Sequence, residues 1–388
     1  MTSKRPFVGE RVRLGDIASV KAGNVAPKKE DFSEEGAPFI RAGSLSSLLR
    51  GESLDSLEKL SDSVAQRLGM KLFPAGTVVF AKSGMSCLKG YVYTLPRDCY
   101  VVSHLACITP HTGFSKYLEH FFAYNKPNRL IQNPSFPSIK LSRISDIELP
   151  LLDRRSMDYQ VTCLELVQKQ RHEADAIENK LDELVKSRFV EMFGAESWPS
   201  RPIHELATDI RYGTSKKATN EGKYTYLRMN NMTDDGKLDF NDTKRITLSG
   251  TELEKCLVRN GDVLFNRTNS REKVGKTAVF ESDQPMVIAG YIIRVRLSSE
   301  LRSRYFAAYM NLPHVKKMLQ AMAKGAVHQA NINARQLGAI DIPVPPVPLQ
   351  DEFIDFTRYI DKLRAEAQRQ KQDLLSLYDS LAQEYFAM

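Results

Sequence analysis

The chain has 388 residues, of which 42% are hydrophobic and 26% are charged, as expected for a folded protein of two or three domains. Lysine and arginine number 55 and aspartate and glutamate 47, so the formal net charge of +8 favours anionic partners, mainly nucleic acid or an anionic membrane. Five scattered cysteines without a Cys-x-x-Cys pair argue against a zinc site or a disulfide framework, and no run of about 18 apolar residues predicts a membrane span. We therefore expect a cytoplasmic protein without a membrane partner.

The two halves of the chain repeat one pattern. Residues 139–150 match residues 332–343 at an offset of 193, and the match continues at that offset to Phe193 and Phe386. Earlier in each half, residues 73–83 match residues 258–268. A chance similarity would not keep this order over nearly half of the chain, so the sequence predicts a duplication.

Each half is predicted to hold one globular domain followed by one long helix. Short β-branched runs such as residues 77–80 and 289–295 alternate with turn residues, and a helix-like stretch comes late in each domain. The predicted fold class is α+β, with two homologous α/β domains separated by two long helices that form an antiparallel intramolecular coiled coil. The predicted boundaries are 1–152 and 196–347 for the domains, and 153–195 and 348–388 for the helices.

Polar, basic loops follow the predicted strands of the first domain. Such loops supply cations for phosphates and hydrogen-bonding side chains for base edges, although solvated surface loops have the same composition. The candidate DNA-binding residues of the first domain are Lys21, Asn24, Lys28, Lys29, Arg41, Lys82, Ser83, Lys89 and Lys140.

The first long helix is predicted from residues 157–193, which contain neither proline nor glycine and would extend roughly 55 Å. That length exceeds what the core of one such domain needs, so we expect the helix to pair with its repeat. Spacings of three and four residues predict a helix seam at Val167, Gln170, Ala174, Ile177, Leu181 and Leu184.

The second domain has basic and amide-rich loops at the positions that match those of the first domain, but their residues differ. Two homologous surfaces with divergent contact residues would read two different sequences. Its candidate DNA-binding residues are Tyr212, Thr214, Ser215, Lys216, Arg228, Asn230, Arg267, Thr268, Asn269, Arg271, Lys276, Gln329, Asn331 and Asn333.

The second long helix should begin after the prolines at 343, 345, 346 and 348, which do not fit a helix interior. A buried Gln170 or Gln370 would fix the register of the coiled coil; the alternative is that both glutamines face solvent or a partner. The seam of this helix is predicted at Ile360, Leu363, Ala367, Gln370, Leu374, Leu377 and Leu381.

Fragments of catalytic motifs are incomplete. Asn133-Pro134-Ser135-Phe136 resembles an adenine methyltransferase loop but lacks its second proline and an upstream glycine-rich loop. Gly275-Lys276-Thr277 resembles the end of a P-loop, but Ser270 stands where the first glycine should be. The histidines lack metal-ligand spacing. We therefore expect no catalytic site, no metal site and no cofactor bound by this chain.

With the duplication and both helices in place, the whole chain resembles the specificity subunit of Type I restriction–modification systems. The resemblance rests on Gly-Asp-Val-Leu-Phe-Asn-Arg at 261–267, its looser copy at 76–82, and Ile-Pro-Val-Pro-Pro-Val-Pro-Leu at 342–349. Gln350-Asp351-Glu352 stands where the family usually has Glu-Gln, and residues 149–155 lack the proline pair. These departures concern the entry into each helix.

The resemblance implies that each domain reads one part of a bipartite double-stranded DNA target. It implies that the helices set the spacing of the two parts and dock two methyltransferase subunits, which carry S-adenosylmethionine. Two restriction subunits that use ATP and Mg can join such a complex, in a bacterium or an archaeon. The chain itself would be a non-catalytic recognition subunit.

Two other classes of function compete with this interpretation. A non-catalytic, protein-binding coiled-coil adaptor would explain the helices but not the paired basic loops. A stand-alone methyltransferase or nuclease is disfavoured by the missing motifs.

Overall fold

The structure is a computed structural model that describes residues 10–326 and 329–387. Contacts divide the chain into two compact units, Met1–Asp175 with Gln368–Met388, and Ala176–Ala367. Each unit therefore contains one globular domain and part of both long helices. The division runs through the middle of each helix rather than at the predicted domain boundaries.

The first unit contains an α+β domain. Its strands are β1 (Glu10–Arg13), β2 (Ala18–Ala22), β3 (Ala37–Ile40), β4 (Lys59–Leu60), β5 (Leu72–Phe73), β6 (Val78–Ala81), β7 (Val92–Thr94), β8 (Cys99–Val101), β9 (Leu105–Pro110) and β10 (Glu148–Leu151). Its helices are α1 (Leu14–Ile17), α2 (Leu45–Leu48), α3 (Asp62–Arg67), α4 (Ser115–Tyr124) and α5 (Leu141–Ser145), before the long α6 (Arg154–Phe193).

Two four-stranded sheets organise this domain. One sheet is antiparallel in the order β2-β9-β6-β7, and the other has the order β4-β3-β8-β5 with β3 parallel to β8. All four residues of β6 are buried because the strand lies inside its sheet and α4 covers it. The rings of Phe80 and Phe122 lie 5.0 Å apart at that contact. A continuous apolar strand of this kind is typical of a buried position.

The second unit repeats these elements. Its strands are β11 (Ser200–Pro202), β12 (Ala207–Tyr212), β13 (Tyr224–Leu227), β14 (Lys244–Ile246), β15 (Leu257–Val258), β16 (Val263–Asn266), β17 (Thr268–Asn269), β18 (Thr277–Val279), β19 (Met286–Ile288), β20 (Ile292–Leu297), β21 (Lys324–Ala326), β22 (Gln329–Asn331) and β23 (Asp341–Pro343). Its helices are α7 (Ile203–Leu206), α8 (Gly250–Cys256), α9 (Ser303–Met310), α10 (Pro313–Met322), α11 (Ala334–Gly338) and the long α12 (Val347–Phe386).

The sheet orders of the second unit match those of the first strand for strand, which confirms the predicted duplication. They are β12-β20-β16-β18 and β14-β13-β19-β15, with β13 parallel to β19 as β3 is to β8. Even a buried tyrosine is repeated. Tyr117 donates to the carbonyl of Pro150 (2.7 Å) and Tyr305 to that of Pro343 (3.0 Å).

The long helices begin where the chain supplies a suitable first turn. Asp153 precedes α6, and its carboxylate accepts the amide of Ser156 at 3.1 Å, an N-cap. The prediction that α12 starts beyond Pro348 was wrong, because the helix begins at Val347. A proline is tolerated in the first turn of a helix, where its nitrogen needs no partner.

Within the first unit, α6 and α12 run antiparallel. Gln168 lies 3.4 Å from the hydroxyl of Tyr378, and Asp175 forms an ion pair with Lys371, so the residue number rises on one helix as it falls on the other. The end of α12 is anchored on the domain by Phe386, whose ring packs 5.2 Å from that of Tyr117.

The same arrangement holds within the second unit. Asp182 forms an ion pair with Arg364, and Arg188 lies 2.9 Å from Glu352, so the segments are again antiparallel. The end of α6 is anchored on its domain by Phe193, whose ring packs 4.9 Å from that of Tyr305. The two helices therefore pair as predicted.

The structure corrects the predicted helix seam at every second position. Val167, Ala174, Leu181, Ile360 and Ala367 are buried, whereas Leu374 and Leu381 are half-buried. Six predicted seam residues are exposed instead: Gln170, Ile177, Leu184, Leu363, Gln370 and Leu377. The register hypothesis for the two glutamines is therefore wrong.

Charged and aromatic side chains explain this shift of one residue. Arg364, Lys371 and Tyr378 occupy the positions predicted for Leu363, Gln370 and Leu377. The aliphatic stems of arginine and lysine can cover an apolar seam while their charged ends reach carboxylates on the facing helix. Arg364 and Lys371 thus bring ion pairs into the seam, Tyr378 adds an aromatic ring, and Leu363 and Leu377 are left exposed. No helix of the described ranges is long and apolar enough to cross a membrane.

Candidate nucleic-acid interface

Four loops of the first domain, at the ends of its strands, are joined by backbone hydrogen bonds. The amide of Asn24 donates to Val101 (2.6 Å) and that of Ser103 to Asn24 (2.6 Å). The amide of Lys82 donates to His104 (2.9 Å), and that of Ile139 to Lys82 (2.7 Å). We call the loops 23–25, 82–85, 102–104 and 133–139 the first loop frame.

The second domain forms the same frame. The amide of Thr214 donates to Ile288 (3.0 Å) and that of Gly290 to Thr214 (2.7 Å). The amide of Arg267 donates to Tyr291 (2.9 Å), and that of Ile332 to Arg267 (2.9 Å). We call the described residues of loops 213–215, 267–270, 289–291 and 329–333 the second loop frame.

A glycine is required at the same place in both frames. A Cβ on Gly23 would lie 2.3 Å from the carbonyl oxygen of Val101, and one on Gly213 would lie 2.2 Å from that of Ile288. Any side chain would force the first loop away from the sheet, so both frames need glycine there. The same backbone hydrogen bonds and the same glycine therefore hold different side chains at equivalent positions of the two frames.

In the second loop frame, Arg267 is held from three sides. Its guanidinium lies 4.8 Å from the ring centroid of Tyr212, and it donates to the carbonyl of Gly290 (3.2 Å) and to the side chain of Asn331 (3.1 Å). The hydroxyl of Tyr212 accepts the amide of Ala334 at 2.7 Å. Arg267 thus fixes two neighbouring candidate contact residues.

In the first loop frame, two smaller polar side chains lie at the position equivalent to Arg267 and its partners. Ser83 and Nδ1 of His104 lie 2.8 Å apart on the surface. Lys82, which corresponds to Arg267, is half-buried. The residues paired with Ser83 and Thr268 across the frame are Ser138 and Asn331. The two domains therefore differ here in Lys82 against Arg267, His104 against Tyr291 and Ser138 against Asn331, whereas Ser83 and Thr268 both carry a hydroxyl.

Several predicted residues keep their side chains on the surface. Arg41 is held by Glu58 at 2.7 Å, Lys216 by Glu252 at 2.5 Å and Arg228 by Asp242 at 3.1 Å. The exposed predicted residues of both domains are Lys21, Lys28, Lys29, Lys89, Lys140, Tyr212, Ser215, Lys216, Asn230, Arg271 and Asn333. Half-buried ones are Arg41, Lys82, Ser83, Arg228, Arg267, Asn269 and Asn331, whereas the side chain of Gln329 lies outside the described residues.

Other predicted DNA contacts are corrected, because their side chains hold the fold together. Asn24 is buried and exchanges two hydrogen bonds with the backbone of Lys71, at 2.7 and 2.8 Å. Thr214 is buried and donates to Glu252 (2.7 Å), and Thr268 is buried in β17. The side chain of Asn333 caps α11 by accepting the amide of Gln336 at 2.9 Å.

The fragment Gly275-Lys276-Thr277 makes structural contacts within the second domain. Lys276 is 11% exposed, donates to the carbonyl of Met232 (3.1 Å) and pairs with Asp234 (2.5 Å). Lys316 donates to the carbonyl of Gly275 at 2.6 Å. Burial, with the nearby charge of Lys276, lowers the pKa of Lys316 to about 8. Lys276 is therefore corrected from a DNA contact to an internal one.

Sequence reasoning missed His104, Tyr291, Met85 and Phe136 as individual site residues. His104 and Tyr291 occupy equivalent positions in the two frames, and the alignment of Lys82 with Arg267 could have led to them through the strands that follow. Met85 and Phe136 lie within the predicted loops, but an apolar side chain in a polar loop gives no sequence signal for a DNA contact. Across residues 10–326 and 329–387 there is no group of three or more residues able to hold a metal ion.

Two homologous α+β domains, each with a loop frame, and two antiparallel long helices define a two-domain recognition protein. The sequence profile of the Type I restriction modification DNA specificity domain matches residues 9–154 and 196–376. The chain therefore belongs to this family.

Particular relatives agree with this assignment. The Type I restriction enzyme EcoKI specificity subunit of Escherichia coli K12 is 23% identical over 348 residues, covering 82% of this chain and 74% of that one. The putative type I restriction enzyme MjaX specificity subunit of Methanocaldococcus jannaschii is 28% identical over 173 residues. That match covers 43% of this chain and 40% of the relative.

Two solved structures share the fold. The S subunit of a Type I restriction–modification system from M. genitalium has a TM-score of 0.55 at 12% identity, covering 100% of this chain and 98% of that one. A chain from a study of complex assembly and conformational transition of the type I R-M system has a TM-score of 0.64 at 18% identity. It covers 98% of both chains.

Proposed function

We propose that this chain is the DNA-recognition subunit of a Type I restriction–modification complex in the cytoplasm of a bacterium or an archaeon. Each loop frame would read one part of a bipartite double-stranded DNA target. The antiparallel helices would set the number of unread base pairs between the parts. The chemical steps would belong to partner subunits, and this chain would be non-catalytic.

The observation that carries the proposal is the pair of loop frames with equal backbones and unequal side chains. Lys82 and Arg267, and likewise His104 and Tyr291, occupy matching places. Sequence is read by side chains at base edges, whereas the backbone frame only positions them. Duplicated frames with divergent contact groups suit two different half-sites on one DNA molecule.

Charge supports DNA as the ligand of the first loop frame. Lys82, Lys89 and Lys140 lie on or beside the frame, and no aspartate or glutamate occurs in residues 23–29, 82–90, 102–104 or 133–140. Lysine side chains on such a surface attract phosphates and make binding sensitive to salt. An acidic protein surface would be attracted as well, so charge alone does not select DNA.

The exposed apolar side chains of the long helices support docking of other subunits. Leu166 is 57% exposed, Ile177 45%, Leu184 47% and Leu377 47%. Single exposed apolar residues are ordinary, but a series of them along a pair of helices suits a surface that a protein partner covers. We propose two methyltransferase subunits as the occupants, each carrying S-adenosylmethionine. Restriction subunits that use ATP and Mg would join the same complex.

A binding experiment tests the proposal. The chain, co-purified with its methyltransferase partner, should bind host DNA fragments that contain one bipartite motif far more tightly than shuffled fragments. Sequencing of methylated adenines should return the same motif with a fixed spacer. Equal affinity for both DNA pools, with the complex intact, would favour the protein-binding adaptor instead.

A separate experiment tests whether the chain has methyltransferase activity of its own. Radiolabelled S-adenosylmethionine added to the purified chain alone should transfer no methyl group to DNA, whereas the complex should methylate it. Transfer by the chain alone would contradict the assignment of chemistry to partner subunits.

A further inference from the structure

The first loop frame carries an apolar cluster. Among the large hydrophobic side chains of the described residues, the three with the greatest exposed fractions are Val25 (81%), Phe136 (81%) and Met85 (69%). All three stand on the first loop frame, whose backbones are bonded to one another. Exposed apolar side chains scattered singly are ordinary, but three on loops that are hydrogen-bonded to one another indicate a binding function.

Phe136 is presented by a fixed turn. The side chain of Asn133 accepts the amide of Ser135 at 3.0 Å, and the amide of Phe136 donates to the carbonyl of Asn133 at 3.2 Å. On the other side, the carbonyl of Pro137 accepts the amide of Gly84 at 3.1 Å. The ring is therefore held away from the domain core by its own backbone, and binding a ligand would cost little ordering of the loop.

Met85 and Val25 each follow a residue whose amide is hydrogen-bonded within this frame. Met85 follows Gly84, whose φ of 78° is suited to glycine and which bonds to the turn of Phe136. Val25 follows Asn24, which is tied to the strand that leads to His104. Methionine adapts its shape to an apolar partner, whereas the flanking phenylalanine is rigid.

The partner of this cluster must combine apolar groups with negative charge. Lys82, Lys89 and Lys140 lie on or beside the loops, and the segments of the frame contain no acidic residue. Duplex DNA offers such a combination, since the C5-methyl of thymine projects into a groove bordered by phosphates. Phenylalanine is one of the residues that contact this methyl group.

We propose that Phe136, supported by Met85, reads thymine in the half-site of the first domain by packing on its C5-methyl group. The inference rests on the proposed DNA recognition and adds a base identity to it. The second domain provides a contrast, because the exposed aromatic residues on or next to its loop frame, Tyr291 (50%) and Tyr212 (42%), carry hydroxyl groups. The two half-sites would thus be read with different chemistry.

The test removes the methyl group from DNA and the ring from the protein. The complex of the chain with its methyltransferase is first used to map the target, and each thymine is then replaced by deoxyuridine, one at a time. At one thymine of the first half-site, the wild-type complex should lose affinity about fourfold, as expected for one methyl group buried from water. Deoxyuridine in the second half-site should change the affinity of the wild type and of Phe136→Ala to the same extent.

The protein variants complete a double-mutant cycle. Phe136→Ala should weaken binding to the thymine site about tenfold and make the complex indifferent to deoxyuridine at that one position. Met85→Ala should reduce the same sensitivity in part. Leu49→Ala is the matched control, because Leu49 is 49% exposed outside the frame and should leave the deoxyuridine effect intact.

The possible results separate this inference from the proposed function. A first half-site without thymine, or equal deoxyuridine effects in wild type and Phe136→Ala, overturns the methyl contact while DNA recognition stands. If Phe136→Ala lowers assembly with the methyltransferase but not DNA affinity, the cluster is a protein interface and the inference is wrong. Failure of the wild-type complex to select any DNA motif would instead overturn the proposed function.

Discussion

Arg267 is the residue at which a base-reading role and a structural role compete. The sequence predicts a DNA contact for Arg267, either with a guanine edge, whose two acceptors arginine matches, or with a phosphate. In the structure its guanidinium already donates to Gly290 and Asn331 and covers the ring of Tyr212. An arginine so placed aligns two other candidate contact residues, and a base would have to be contacted by the N–H groups of Arg267 that these two bonds leave over.

Substitution of Arg267 by lysine separates charge from geometry. Lysine keeps the positive charge but loses the planar fork that bonds to Gly290 and Asn331. We expect Arg267→Lys to lower affinity for the cognate site by about 1–3 kcal/mol, with discrimination weakened at more than one base pair because Asn331 and Tyr212 are released together. Binding to a set of DNA sites with single base changes measures this.

Arg271 offers the control for this experiment. It is exposed in the same region of the second domain, and Arg271→Lys should preserve any phosphate contact and leave discrimination as it was. If Arg267→Lys relaxes one base pair alone, the direct guanine contact is correct and the positioning role is not.

Residue types alone predicted which loops form the candidate interface but not which side chains face outward. Asn24, Thr214 and Asn333 have the hydrogen-bonding groups that a DNA contact needs, and the same groups bond to the protein backbone instead. The choice depends on neighbours that are distant in sequence, such as Lys71 for Asn24. Spacing along the chain carries no signal for such partners.

At the scale of the helices, the sequence predicted that they pair but placed half of the seam one residue too early. The 3–4 spacing of leucines is satisfied by Leu363 and Leu377, whereas the structure uses Arg364 and Tyr378. The spacing of apolar residues does not reveal an ion pair between residues that are nearly 200 positions apart, such as Asp182 and Arg364. Leu363 and Leu377 are therefore left exposed on the surface of α12.

The first turn of α12 is joined to its domain by Gln350. Its side chain, fully buried, donates to the carbonyls of Glu300 (3.0 Å) and Pro345 (2.8 Å) and accepts the amide of Arg302 (2.8 Å). Gln350→Glu is nearly isosteric but sets a carboxylate against two carbonyl oxygens. We expect it to lower the free energy of unfolding by roughly 2–4 kcal/mol in urea or thermal denaturation.

Gln372, exposed on the same helix, is the matched position. Gln372→Glu should change stability little, since surface substitutions of this kind usually do. Equal stability of the two variants would mean that the bonds of Gln350 contribute nothing to docking of the helix.

The other end of α12 depends on a buried histidine. His120 on α4 lies 3.0 Å from the hydroxyl of Tyr378, and burial lowers the pKa of His120 below its usual 6.5 despite the opposing charges of Glu119 and Glu165. The unfolded chain therefore binds this proton more readily than the folded chain. Stability from the neutral ring is full above about pH 6.5 and is lost as the pH falls below it.

Thermal unfolding measured from pH 8 down to pH 5.5 checks this expectation. The unfolding temperature of the wild type should fall with pH, and His120→Gln should flatten part of that slope. His172→Gln, at an exposed histidine on α6, should not. An unchanged slope in His120→Gln would show that other groups set the acid sensitivity.

At the scale of the whole chain, the duplication was predictable because both halves keep the order of their motifs. The sheet orders, the parallel pairs β3–β8 and β13–β19, and the two loop frames follow from one ancestral design that each half repeats. Differences between the halves were harder to foresee. The second domain adds the sheet β17-β22-β21, where the first has a single bridge between Ser83 and Ser138.

The length of the paired helices leads to the last prediction. Because the helices are antiparallel with Asp175 opposite Lys371, deletion of residues 171–177 and 369–375 removes one facing heptad and keeps the phase of the seam. Seven helical residues correspond to about 10.5 Å, the length of about three base pairs. If the helices set the spacing of the half-sites, methylation at the native spacing should be lost.

A DNA library with both half-sites and variable spacers reads out the new preference. Shortening the spacer by about three base pairs restores the distance but turns one half-site by roughly 100° around the duplex, since B-DNA repeats every 10–10.5 base pairs. We therefore expect only partial recovery there. Unfolding measurements on the deletion variant identify a folding defect, and undiminished methylation at the native spacing would refute the role of the helices as a spacer.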